Sequence, residues 1–170
     1  KFEEGVMIKG KVWKYKDNIN TDIIAPPASL ELCTEEAARY TMAPVDPDFA
    51  SGFKPGDIFV AEHNLGSGSS RENAPLMLRQ LGGRTIVAMD YARIFFRNCI
   101  NVGILTIECP ETNKISRDDV LEIDYLGGMI YNRTTGEEYR CNRIPEHVMG
   151  IIRCGGLIEY LKQEKLPGRR

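Results

Sequence analysis

The chain has 170 residues, 42% hydrophobic and 27% charged, enough apolar sequence for one globular domain over residues 1–170 with a core of its own. A formal net charge of −2 supplies no basic field, which argues against nucleic acid or an anionic membrane as partner. There is no signal-peptide pattern and no apolar run approaching the ~20 residues of a membrane span, and the five cysteines show no CxxC or other ligand spacing, so the expectation is a reduced, soluble cytoplasmic protein that binds no metal by itself.

Residues 6–15 alternate apolar and polar side chains around Gly10, the period of a half-buried strand. Residues 17–22, Asp-Asn-Ile-Asn-Thr-Asp, are turn-prone because their short side chains bond neighbouring amides. Pro26 and Pro27 argue against a helix and stiffen a loop through residue 31. Residues 33–40 read as a short helix capped near Thr34. The stretch 43–56, punctuated by Pro, Asp and Gly, reads as a surface connection.

A strand is predicted at 58–61 and, beyond a Gly/Ser turn, a helix through Leu76, Met77, Leu78 and Leu81 that stops at Gly82 and Gly83. The apolar run 85–89 has the composition of a strand buried on both faces, so strand, helix and strand make a βαβ unit. Ala92, Phe95, Phe96, Cys99 and Val102 recur at helical spacing, and 104–108 is the next strand, closed by Pro110. Three strand-like runs, 120–125, 129–132 and 137–141, are separated by Gly127-Gly128 and Thr135-Gly136, which predicts an antiparallel meander. A helix over 145–153 and a short helical tail before Pro167 complete an α/β pattern.

The stretch with chemical content is 57–75. An apolar strand ends in Gly66, Ser67 and Gly68, which permit a sharp turn, and Ser69, Ser70 and Arg71 follow where a helix begins. Pro75 has to lie in the first turn of that helix, because its missing N–H is tolerated there. Amides, a helix N-terminus and a guanidinium would stabilise a serine alkoxide, and they would equally hold a substrate carboxylate. The same composition suits a flexible linker, but a position between a buried strand and a helix favours an anion site. The turn matches neither the nucleophile elbow, the P-loop nor the dinucleotide fingerprint.

Other candidates have simpler readings. His63 lies at a strand end near the turn and reads first as a structural or exposed histidine rather than an acid or base. His147 lies near a helix start. Asp22 can orient a site arginine or bond its own turn, and Arg93 and Arg97 read as a solvated face before a substrate clamp. Cys109, before Pro110, reads as buried rather than reactive.

Three motifs occur in order: Asn18-Ile-Asn-Thr-Asp-Ile-Ile24, Gly66-Ser-Gly-Ser-Ser-Arg-Glu72 and Tyr91-Ala-Arg-Ile-Phe-Phe-Arg-Asn-Cys-Ile-Asn-Val-Gly103. With their spacing and the Cys154-Gly-Gly-Leu-Ile end, they resemble the small subunits of 3-isopropylmalate dehydratases in the aconitase superfamily, over nearly the whole chain. The resemblance implies a swivelling β/β/α domain, no cofactor on this chain, and a separate large subunit holding a 4Fe–4S cluster, the two forming a heterodimer of branched-chain amino-acid biosynthesis. It implies that Ser69 is the catalytic base toward a carbon-bound proton and that Ser70 and Arg71 bind substrate and stabilise the alkoxide. An iron of the partner's cluster would act as Lewis acid on the hydroxyl.

Substrate choice in that family is attributed to the loop after the first strand, here residues 26–32. Many relatives read Pro-Ala-Arg-Tyr-Leu, and this chain has Ala28 and Ser29 at the Arg-Tyr positions, then Leu30. Asn73 stands where relatives commonly carry His. The resemblance thus places Ala28, Ser29 and Leu30 against the substrate. Without an arginine the loop disfavours a homoaconitase-like tricarboxylate and favours a malate with an isopropyl or methyl group. The small subunit of a related hydro-lyase, dimethylmalate dehydratase-like or homoaconitase-like, is the enzyme alternative, and a non-catalytic anion-binding module is the alternative of another class.

Overall fold

The computed structural model describes residues 7–165. Strand β1 (Ile8–Lys14) leads to the helical turns α1 (Thr21–Ile24), α2 (Thr34–Ala37) and α3 (Phe49–Gly52). Strand β2 (Ile58–Val60), helix α4 (Asn73–Gln80), strand β3 (Thr85–Ala88), helix α5 (Arg93–Asn101) and strand β4 (Leu105–Glu108) then alternate. The last third holds β5 (Val120–Asp124), β6 (Met129–Asn132) and β7 (Glu138–Arg140), followed by helices α6 (Glu146–Arg153) and α7 (Leu157–Lys165). Val6 and Pro167, which bound the predicted first strand and last helix, lie outside the described residues. Among the described residues no helix is long and apolar enough to cross a membrane.

One sheet orders the strands β4-β3-β2-β1-β5-β6-β7. It is parallel from β4 to β1 and antiparallel from β1 to β7, as the βαβ alternation and the meander predict. The two halves meet within β1: Val12, Trp13 and Lys14 pair with β2, while Ile8, Lys9, Gly10 and Lys11 pair with β5. This handover curls the sheet and sets the layers. Trp13, Phe59, Ile86 and Ala88 face one core with Phe49, Met77, Leu78, Phe95 and Cys99 from the helical side. Val12, Ile58, Val60, Val87 and Ile107 face a second core with Leu121, Ile123, Ile130 and Tyr139 of the meander. The central parallel strands are buried on both faces, hence their unbroken apolar runs, and the layering is β/β/α.

Two local readings are corrected. Residues 43–56 are more than a surface connection: Phe49 and Phe53 are buried, and Phe49 packs on Trp13 at a ring separation of 5.4 Å. Turn-rich punctuation hid this because the aromatic partner lies far away in sequence. The Pro26-Pro27 loop contains a 3-10 turn at Pro27–Ser29, with Pro27 at its first position, where a missing N–H costs nothing. The buried polar groups near these segments are satisfied: Trp13 Nε1 donates to Asp57 Oδ2 at 2.9 Å, and the Tyr15 hydroxyl donates to Asp46 Oδ2 at 2.6 Å.

Candidate active site

Because β1, β2 and β3 are parallel, their C-terminal ends share one edge, the edge at which open α/β sheets place ligands. The segments leaving these strands are stitched together by backbone bonds. Gly66 N–H donates to Ile19 O at 2.7 Å and Thr21 N–H to Ser67 O at 2.9 Å. On the other side Ala92 N–H donates to Leu65 O at 2.9 Å. The Gly/Ser turn is therefore clamped between the residues after β1 and those after β3, and the linker reading is replaced by a held turn. Thr21, buried, adds a side-chain tie, its Oγ1 donating to Ser69 O at 2.9 Å.

Helix α4 begins at Asn73, with Pro75 at its third residue, in the first turn as its chemistry requires. Ser69, Ser70 and Arg71 thus precede the helix rather than open it. Ser69 and Ser70 are exposed, and among the described residues neither hydroxyl has a hydrogen-bond partner. The Arg71 guanidinium is held: Nη1 forms an ion pair with Asp22 Oδ1 and donates to Ala25 O at 3.1 Å. Asp22 takes the arginine-orienting of its two readings.

These residues line a surface cleft of about 210 Å³. Gly66, Gly68, Ser69, Ser70 and Arg71 form one wall, and Ala92, Arg93, Ile94, Phe95 and Asn98 of the α5 segment form the other. Arg93 and Arg97, one turn apart, read alike as a solvated face, but Arg93 lines the cleft and Arg97 does not. Spacing alone could not separate two arginines one turn apart, and the third motif was the only signal. The loop residues divide as well. Ala28 and Leu30 are exposed, whereas Ser29 is 0% exposed, its hydroxyl donating to Pro26 O at 2.7 Å inside the 3-10 turn.

His63 is exposed beside this edge, its Nδ1 2.6 Å from Asp90 Oδ2, and Asn64 N–H donates to Asp90 Oδ1 at 2.6 Å. The hydrogen bond to Asp90 raises the His63 pKa above the ordinary histidine value, and the same bond lowers that of Asp90. The raised His63 pKa makes its contribution to stability complete at low pH and lost as pH rises through the folded value; the depressed Asp90 pKa makes its own lost as pH falls. The pair is therefore charged on both sides only between the lowered Asp90 and the raised His63 values. An NMR titration is expected to place the His63 midpoint above that of an unpaired histidine and to bring it down in Asp90→Asn; an unchanged midpoint would contradict the pairing. No cysteine is among the described residues that line the cleft, and burial raises the pKa of Cys99 and Cys109 and pushes that of Cys141 up to about 12. Among the described residues no group of three or more His, Cys, Asp or Glu side chains is placed to hold a metal ion.

Comparison with known proteins follows the same residues. The model of the aconitase C-terminal domain matches residues 30–112, which include the Gly/Ser turn and α5. 3-Isopropylmalate dehydratase small subunit 1 of Archaeoglobus fulgidus is 47% identical over 154 residues, covering 90% of this chain and 96% of that one. The chain belongs to the 3-isopropylmalate dehydratase small-subunit family. The isopropylmalate/citramalate isomerase small subunit of Methanocaldococcus jannaschii is 46% identical over 160 residues, 93% of this chain and 95% of its own. A crystal structure of 3-isopropylmalate dehydratase from the same organism has a TM-score of 0.90 at 36% identity, over 95% of this chain and 96% of that chain. The family's layered fold is thus the one described above. Membership also gives the three motifs one location, since each lies on a segment leaving the same edge of the sheet.

Proposed function

We propose that this chain is the serine-bearing small subunit of a cytoplasmic hydro-lyase that dehydrates and rehydrates a substituted malate together with a large subunit. The observation that carries the reading is the cleft itself: a Ser69 hydroxyl with no hydrogen-bond partner among the described residues, beside Arg71, whose guanidinium Asp22 and Ala25 hold in place. In the dehydration direction Ser69 Oγ accepts the proton from the carbon next to the hydroxyl-bearing one. The C–H electron pair becomes the second bond of the alkene as the C–O bond breaks with its electron pair on oxygen, the hydroxyl leaving as hydroxide that takes up a proton to become water, and hydration reverses these steps. Arg71 offsets the negative charge of a serine able to accept that proton, and the Ser70 hydroxyl adds a donor for substrate oxygen.

A 4Fe–4S cluster on the large subunit would supply the Lewis acid for the hydroxyl. The residues of this chain do not fit such a cluster: Cys99 and Cys109 are buried, and Cys33, Cys141 and Cys154 are dispersed along the chain. A cleft of about 210 Å³ is also smaller than the ~300 Å³ at which small-molecule pockets begin, which suits a half-site that a second surface completes. Ala92, Ile94 and Phe95 supply apolar surface on its α5 wall beside Arg93 and Asn98, and the exposed Ala28 and Leu30, which are not among the residues lining the cleft, bring no charge from the 26–32 loop. Both favour an alkyl substituent, isopropyl or methyl, on the malate.

The test is turnover of a panel of substituted malates by the chain reconstituted with its large subunit. Isopropyl- and methyl-substituted malates are expected to react at least tenfold faster, by kcat/KM, than a tricarboxylate homologue. The isolated chain is expected to show no turnover of any of them. Dehydration by the iron-free chain alone would sink the half-site reading.

A further inference from the structure

We propose that Arg93 is a second substrate-binding cation of this cleft, taking a carboxylate of the dicarboxylate substrate beside Arg71, which Asp22 holds next to Ser69. This rests on the hydro-lyase reading above. The cleft has two guanidinium groups, and they differ in what they already hold. Arg71 is committed to the Asp22 carboxylate and to Ala25 O. Arg93 is exposed and, among the described residues, has neither a hydrogen bond nor an ion pair, so its donors are free for a planar anion.

Charge leads to the same residue. A malate brings two carboxylates, and Asp22 already offsets Arg71. The loop at 26–32, Pro-Pro-Ala-Ser-Leu-Glu-Leu, carries no cation and one glutamate. Among the described residues Arg93 is then the uncompensated positive charge lining the cleft. Its position relative to Ser69 is set by backbone rather than by a flexible loop. Leu65 bridges Tyr91, and Ala92 N–H bonds Leu65 O one residue before the turn begins at Gly66, so the residue immediately before Arg93 is tied to the segment that enters the serine turn. Arg97, one turn further along α5, is equally unpaired among the described residues but is not among those lining the cleft, and it serves as the internal control.

The experiment uses the complex reconstituted with its large subunit at saturation and compares Arg93→Gln, Arg93→Lys and Arg97→Gln. Arg93→Gln is expected to raise KM at least tenfold with kcat within about threefold, Arg93→Lys to recover part of the loss, and Arg97→Gln to leave both constants within twofold. The decisive readout is inhibition by a substrate-like dicarboxylate against its half-amide. Discrimination between them should shrink at least tenfold in Arg93→Gln, because the group that distinguishes the charged form is gone. An unchanged KM, or unchanged discrimination, would overturn the proposal. So would weakened assembly with normal KM at saturation, which would make Arg93 a docking residue for the large subunit. A wild-type complex that turns over no substituted malate overturns the hydro-lyase reading itself, and this one with it; an active wild type with a silent Arg93→Gln overturns this one alone.

Discussion

Ser69→Ala in the assembled complex is expected to lower kcat by roughly 10²- to 10⁴-fold, the range that a positioned general base supplies, with KM and affinity for the large subunit within about twofold. The Ser69 side chain is exposed and its hydroxyl has no hydrogen-bond partner among the described residues, so its removal breaks no contact that folding uses. Stability should therefore stay within about 0.5 kcal/mol of the parent. The main chain at Ser69 is held independently of the side chain, by Thr21 Oγ1 and Arg71 N–H both donating to Ser69 O. The substitution thus deletes a base without moving the turn. Single-turnover rates with unchanged thermal unfolding are the readout, and turnover within tenfold of the parent would remove Ser69 from the role of base.

Gly66→Ala is expected to do the opposite, lowering stability first and activity as a consequence. Gly66 has φ +84°, a left-handed conformation that costs a side-chain-bearing residue about 1–2 kcal/mol. A Cβ there would also stand 2.1 Å from Phe95 Cγ, against the face of a buried ring that cannot swing away. Overpacking of that kind adds about 1–3 kcal/mol, so a loss of about 2–5 kcal/mol is expected in chemical denaturation. Gly68 is the matched comparison. Its φ of +96° carries the same backbone cost, but a Cβ would meet nothing nearer than Thr21 Oγ1 at 3.4 Å. Gly68→Ala should therefore cost only about 1–2 kcal/mol. Equal losses at the two glycines would show that contact with Phe95 does not hold the turn.

Much of the molecule was legible in residue order because its signals are local. The apolar runs at 58–60 and 85–88 announce strands buried on both faces, and helix α4 is bracketed by Pro75 and the Gly82-Gly83 stop. The meander follows from its turn residues at 127–128 and 135–136. The serine turn is legible for the same reason, since a run of glycines and small polar residues between a buried strand and a helix has few structural uses. What was not legible depends on residues distant in sequence. Thr21 reaches Ser69 across 48 positions, and Arg71 reaches Ala25 across 46. Neither leaves a periodicity to read.

By itself the sequence determined the types of element, their order, and the chemical character of the Gly66–Arg71 turn, because backbone preference and hydrophobic period act over a few residues. Only the tertiary structure decided that β1 passes from β2 to β5, which curls the sheet into its β/β/α layers and brings three loops to one edge. Only it decided that Ser29 turns inward while Ala28 and Leu30 stay exposed, and that Arg93 rather than Arg97 shares a cleft with Ser69. Those outcomes rest on pairings between segments tens of residues apart, whose energies are set by packing and register rather than by any local preference.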